Sequence, residues 1–558
     1  AVGWDKAMAE GYRIHTSLDA DLQRVAEESL AKHLDEVEKT PGYKHPTYAD
    51  FAAKFKIAKQ KGKIDPNDTP DYLQGAVIAL NNATGGILAL VGGRNFEHSQ
   101  YNRALQSKRP AGTAMTPFVF AVAFEKGFFP GTVVEDSALD NRAVMIGGTT
   151  GILGEWGPEN PNNRYEGPIT AREALAKSKN GATVRLGMLA GVDAVLQLCK
   201  LDGIKSALRP YPATFLGSSV VTLAELALAY TSFPNGGWRP DGTFILDRIE
   251  AKDGSIVWSS EKKEKRDQVM KPETAYEVHS CLVDALEKGT GAVAREKFGL
   301  KQFPAAGKTG TAYDFTDVVF AGYDSAITVA VRAGFDKAQK IYRGAFGSEI
   351  ALPIWVDVMN AAEERYPAKP IPQPEVVKTV EICASSGLLA TDKCPRDKVY
   401  RELATKGQMP TEPCNVHGDA RTRIVRDLPD AGVPRAALAV DTEQVKPVAV
   451  QGPTLLADND PYHAVRSTAK PPAPPDATNN EVKPETPATT SQNGIAPEDD
   501  PTILRAQPVE PGDKTPREEE PLRAEPVLRA QPVEPTPEIP RAEPVPQASV
   551  PRAQALAA

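Results

Sequence analysis

Residues 306–336, AGKTGTAYDFTDVVFAGYDSAITVAVRAGFD, decide how this chain folds. VVFAGYD and ITVAVRAGFD are short runs rich in β-branched and aromatic residues with turn signals between them, and AGKTGTAYDF leads in as the start of a further strand. Toward the N-terminus, GAVIALNN (75–82) and GGILALVGG (85–93) repeat the pattern around a short turn at Ala83, Thr84 and Gly85. They read as a hairpin whose strands are largely buried. Helix-like segments lie between the two strand groups: the apolar run FVFAVAF, then PITAREALAKS, VTLAELALAYTSF and PETAYEVHSCLVDALEK. DLQRVAEESLAKHLDEVE, ahead of the first strands, has apolar residues at helical spacing. Strands, helices and more strands in that order predict an α/β (α+β) fold, an antiparallel sheet sandwiched by helices.

At 558 residues the chain exceeds a single typical core, so one large domain with appendages is expected. The formal net charge of −8, with Lys and Arg scattered, excludes nucleic acid as a partner. No apolar run of 18 or more residues occurs and no signal peptide is visible. The chain opens on Ala1, which suggests a processed protein or a fragment with any membrane anchor upstream.

The expected organisation is an entry segment over 1–30, an insertion over 31–73 and the main domain over 74–370. A small Cys-containing appendage over 371–425, a linker over 426–470 and a Pro-rich tail over 471–558 follow. In the tail, PPAPPDATNNEVKPETPATT gives way to LRAQPVEP, LRAEPV, a second LRAQPVEP and RAEPVP. Without aromatics it cannot bury enough apolar surface to offset its ordering entropy, so it reads as a disordered spacer.

Five cysteines fall into two groups. Cys199 and Cys281, in apolar helix-like segments, read as core residues. Cys383, Cys394 and Cys414 cluster in the appendage, where a disulfide is the first reading and implies an oxidising compartment. A zinc site made of those three and His417 is the second, because the spacing matches no standard ligand pattern closely. The seven histidines show no His-Glu-x-x-His spacing, and no metal or cofactor is assigned to the functional site.

Three short stretches stand out in order: GTAMTPF (112–118), AKSKNGA (176–182) and AGKTGTAYDF (306–315). Each alone is weak; their order and separation make the signal. In these stretches the chain resembles the transpeptidase domain of class A, bifunctional penicillin-binding proteins, in the penicilloyl serine transferase superfamily, whose motifs are Ser-x-x-Lys, Ser-x-Asn and Lys-Thr-Gly. GYRIHTSLDADLQRVAEESL resembles the entry to that domain, WGPENPNNRYEGPITAREALAKSKN the run into the second motif, and ICASSGLLATDKCP a C-terminal appendage; the match covers roughly residues 11–420.

The resemblance implies acyl transfer from a D-Ala-D-Ala peptide or a β-lactam. A serine at a helix N-terminus attacks, a lysine one turn on takes its proton, and the third-motif strand gathers the terminal carboxylate. Carried over by position, Ser178 and Asn180 match the second motif. Lys308, Thr309 and Gly310 match the third, with the Thr311 N–H as the oxyanion donor. In the first motif, Thr113 stands where the family has its serine and Thr116 where it has its lysine, while Gly112, Pro117 and Phe118 hold the register.

A threonine nucleophile is crowded at χ1, and loss of a general base costs about 10²–10⁴-fold alone. Lys179 and Lys308 remain as cations nearby. The expectation is therefore a domain of bacterial peptidoglycan biogenesis, on the periplasmic or extracytoplasmic face, lacking normal acyl-serine transpeptidase activity. It would act as a scaffold or noncovalent stem-peptide binder alongside other cell-wall synthesis proteins, with the membrane anchor and glycosyltransferase portion upstream. The alternatives are an active enzyme acylated at Thr113, and a structural envelope protein recruiting partners through its tail. Ser178 and Asn180 could also persist as mere helix-cap and turn residues.

Overall fold

The computed structural model describes residues 11–63, 69–139, 164–261 and 265–417, together with residues 3 and 6. The expected linker and Pro-rich tail lie outside the described residues, as does much of the run into the second motif. Five strands make the central sheet: β1 (Gln74–Asn81), β2 (Ile87–Val91), β3 (Ala306–Thr311), β4 (Asp317–Tyr323) and β5 (Ile327–Gly334). Their order across the sheet is β3-β4-β5-β1-β2, and every pairing is antiparallel. The β1–β2 turn closes on Asn81, whose Oδ1 accepts from the backbone N–H groups of Ala83 and Thr84, both at 3.1 Å.

Helices cover both faces. Along β1, Ala76, Ile78 and Leu80 enter one apolar cluster, and Val77 and Ala79 enter the other. Side chains of a strand alternate between faces, so a strand buried on both sides reads as a continuous apolar run. One cluster packs the sheet against α2 (Thr116–Glu125), α5 (Leu223–Tyr230) and α6 (Pro272–Glu287). The other packs it against α1 (Ala20–Glu38) and α7 (Gly347–Ala362), with Phe320 against Trp355. Cys199 and Cys281 lie fully buried in the first cluster. Between α2 and α5 come α3 (Ala171–Ala176), opened by a Thr170–Glu173 capping box, and α4 (Asn180–Ala190).

FVFAVAF accounts for α2. Apolar all round, it is buried at every position from Thr116 to Phe124, as a helix through the middle of a core must be, and Pro117 sits in its first turn where a missing N–H costs nothing. Residues 31–73, expected as an insertion, carry the second half of α1 and a further helix, Tyr48–Gln60, with its own Thr47–Asp50 capping box.

The appendage is an antiparallel hairpin of β6 (Val377–Cys383) and β7 (Val399–Thr405). It seats Val380, Ile382 and Ala404 against Phe129, just beyond α2. Gln408 Nε2 donates to the carbonyls of Phe124 (3.2 Å) and Phe128 (2.9 Å), and Arg172 pairs with Glu402. All five cysteines are free, so the disulfide expected among Cys383, Cys394 and Cys414 is not formed. Among the described residues no single helix is long and apolar enough to cross a membrane.

Candidate active site

The three sequence stretches converge at the outer edge of the sheet. β3 is an edge strand, paired only with β4 in the sheet, and all six of its residues are buried. Against it lies the single 3₁₀ turn Gly112–Met115 that leads into α2. The approach is backbone to backbone. A Cβ on Gly310 would sit 2.2 Å from the Ala111 carbonyl oxygen, and one on Gly112 would sit 2.5 Å from that of Thr311. Gly112 also has φ +56°, a left-handed conformation that only glycine adopts without strain.

Outside the motifs, Arg109 anchors this turn through a two-pronged ion pair to the buried Asp317 at the start of β4, at 3.0 and 2.7 Å. Tyr230 of α5 donates its hydroxyl proton to the Ala114 carbonyl at 2.6 Å. Thr290, beyond the end of α6, lies 2.8 Å from the Thr309 hydroxyl and donates its N–H to the Ala176 carbonyl next to the second motif. None of these carries a short-range pattern: the Arg109–Asp317 and Tyr230–Ala114 bonds each span more than a hundred residues, and Thr290 bridges the second and third motifs.

One chain of hydrogen bonds joins the motifs. Lys308 Nζ donates to Ser178 Oγ at 2.9 Å and to the Thr309 carbonyl at 3.3 Å, and the Thr113 hydroxyl donates to that same carbonyl at 3.1 Å. Thr116 turns away, giving its proton to the Thr113 carbonyl at 2.9 Å. Ser178 is held at φ +57°, a costly conformation for a residue with a Cβ. The N-cap of α4 is Lys179 without a side-chain bond, so Ser178 does not serve as that helix's cap. Asn180 is the first residue of α4 and is half-buried.

The two remaining cations differ. Lys179 is buried and committed to Glu166 (2.9 Å), Asp136 (3.5 Å) and the Arg164 carbonyl (2.9 Å), so it is not available as a base. Lys308 is fully buried with no carboxylate at ion-pair distance among the described residues, and burial pushes its ammonium down to about 7. The site therefore offers an ammonium near its titration midpoint, a strand edge, and a threonine hydroxyl tied to backbone.

Comparison with known proteins gives the arrangement its relatives. Residues 75–359 match the penicillin binding protein transpeptidase domain, and residues 373–419 match the penicillin-binding protein 1A C-terminal domain. Penicillin-binding protein 1A of Neisseria meningitidis is 35% identical over 309 residues, covering 55% of this chain and 38% of that protein. Penicillin-binding protein 1A of Pseudomonas aeruginosa is 29% identical over 371 residues, covering 58% and 44%. The chain thus spans less than half the length of these relatives.

Among solved structures, penicillin-binding protein 1A from Haemophilus influenzae superposes with a TM-score of 0.60 at 21% identity, covering 73% of each chain. PonA1 of Mycobacterium tuberculosis, solved in complex with penicillin V, does so at 0.51 and 21%, covering 66% of this chain and 90% of that one. A helix-clad antiparallel sheet, three motifs gathered at its edge strand and a family match over half the residues lead to one conclusion: the chain belongs to the penicillin-binding protein transpeptidase family.

Proposed function

We propose that this chain works in bacterial peptidoglycan biogenesis, on the extracytoplasmic side, as a transpeptidase-family domain that holds a stem-peptide carboxylate without forming an acyl-enzyme. The observation that carries the reading is the fate of the Thr113 proton: it is donated to the Thr309 carbonyl, while Thr116, where the family has its lysine, is bonded back to its own helix turn. A nucleophile needs a base within hydrogen-bond reach of the proton it loses. Here the hydroxyl meets a backbone oxygen. In this reading the capture half is retained: Lys308 would meet the carboxylate, the β3 edge would pair with an extended peptide, and the N–H groups of Thr113 and Thr311 are the candidate oxyanion donors. Other cell-wall synthesis proteins would then be the partners of a scaffold.

A second reading has one observation in its favour. Lys308 shares the Thr309 carbonyl with Thr113 and is driven toward its neutral form, so it is the amine placed to take the Thr113 proton. Intact-protein mass spectrometry after incubation with a penicillin separates the two. The noncovalent reading expects no adduct on this protein and an adduct on a Thr113→Ser, Thr116→Lys double variant. A covalent adduct on the unaltered chain, mapped to Thr113 or Ser178, overturns it.

A further inference from the structure

The appendage gathers a second group of reactive side chains, remote in sequence from the catalytic motifs. Cys383 ends β6, Cys394 lies in the connection to β7, and Cys414 and His417 come from the segment after β7. Their sulfur and nitrogen atoms all lie within 4.8 Å of one another. His417 Nδ1 is 3.4 Å from both Cys383 Sγ and Cys414 Sγ. With Zn–S near 2.3 Å and Zn–N near 2.0–2.1 Å, the corners of a zinc tetrahedron stand about 3.5–3.8 Å apart. The two His417 distances are close to that spacing, and the remaining pairs lie within 4.8 Å, near enough for an ion to draw them in.

Three further observations point the same way. All three cysteines are buried, 0%, 5% and 3% exposed, and His417 is half-buried beside them. The Thr391 N–H donates to Cys394 Sγ at 3.3 Å and the Thr391 hydroxyl lies 3.2 Å from it, outer hydrogen bonds of the kind that orient a metal ligand. The apolar cluster that seats the appendage holds four buried residues, one of them Phe129 of the main domain, and only Val377, Leu388 and Ala390 add further buried apolar side chains besides the cysteines. So small a unit ordinarily needs a covalent or metal staple. A disulfide would use two of the three thiols and strand the third beside the imidazole. A metal ion uses all four ligands.

We propose that Cys383, Cys394, Cys414 and His417 bind one zinc ion as a closed structural site. The ion replaces three thiol protons, which leave to solvent, and takes the lone pair of neutral His417 Nδ1. With four protein ligands and no open position, the role is to pin the segments before and after β7 to the end of β6.

The test uses the full chain, purified without chelator. Metal analysis is expected to return one zinc per chain, and exchange with cobalt(II) to give thiolate-to-cobalt charge transfer in the near ultraviolet with tetrahedral d–d bands in the visible. His417→Ala and Cys394→Ser are each expected to lose stoichiometric metal, whereas Cys199→Ser keeps it. Should those variants misfold, alkylation of the unaltered protein under denaturing, non-reducing conditions decides alone. Labelling of all five cysteines after metal removal supports the site; two unlabelled cysteines mapped to the appendage, or metal-free protein that takes up neither zinc nor cobalt(II), overturn it.

Discussion

Lys308 shows what a single residue costs this fold and what it returns. Its ammonium is pushed from 10.5 down to about 7 by burial, so the folded protein releases a proton that the unfolded chain keeps between those values. Stability from this group therefore rises as pH climbs from about 7 toward 10.5, and the burden is full below about 7. Lys308→Met is expected to be more stable than the parent by about 1–3 kcal/mol at pH 6, with the gap closing toward pH 10, as thermal melts across pH would show. The same variant should lose binding of an acyl-D-Ala-D-Ala peptide. In the parent, calorimetry should find that binding weakening as pH rises through about 7, because only the ammonium attracts the carboxylate. A Lys308→Met protein that binds the peptide as well as the parent would remove Lys308 from the capture site.

At the scale of elements, the candidate site depends on how the turn before α2 meets the start of β4. Asp317 is fully buried, and its carboxylate is answered by the two-pronged bond from Arg109, with Arg332 more distant at 3.9 Å. Arg109→Ala strands that charge and is expected to cost about 3–5 kcal/mol in urea unfolding, while Arg109→Lys recovers only part of it because an ammonium cannot make both bonds. Nothing in RPAGTAMTPF announces this pairing. The elements themselves were legible: ITVAVRAGFD and GAVIALNN read as strands and FVFAVAF as the run of a helix, since a core apolar on both sides writes itself into continuous runs. The order of the motifs also anticipated that Thr113, Ser178, Lys308 and Thr309 would meet, and hydrogen bonds join these four. What stayed hidden were contacts between distant segments. Lys179 looks like a spare cation until Asp136 and Glu166 close on it. Cys383, Cys394, Cys414 and His417 were already grouped by the sequence, but their irregular spacing, which comes from delivery by three separate segments, left disulfide and zinc site both open.

At the scale of the whole molecule, the appendage and the main domain share a buried acid. Glu277 of α6 accepts from Gln408 of the appendage at 3.1 Å, its other oxygen has no partner, and burial lifts its carboxyl to about 8. A carboxyl that titrates higher in the folded state stabilises fully below its ordinary 4.5, and that contribution is lost as pH rises to about 8. Glu277→Gln keeps the acceptor without the charge. It is expected to be more stable than the parent by about 1–3 kcal/mol at pH 8.5 and indistinguishable at pH 4.5, as melts at the two pH values would show; equal stability at both would mean the carboxyl is solvated. The contacts from Gln408 to Phe124 and Phe128 have a mechanical meaning as well. α2 is ten residues long, about 15 Å, and walled on every side, so it behaves as a stiff strut with the hairpin clamped at its far end and Thr116 at its near one. A tug on the appendage is therefore borne at the turn that carries Thr113.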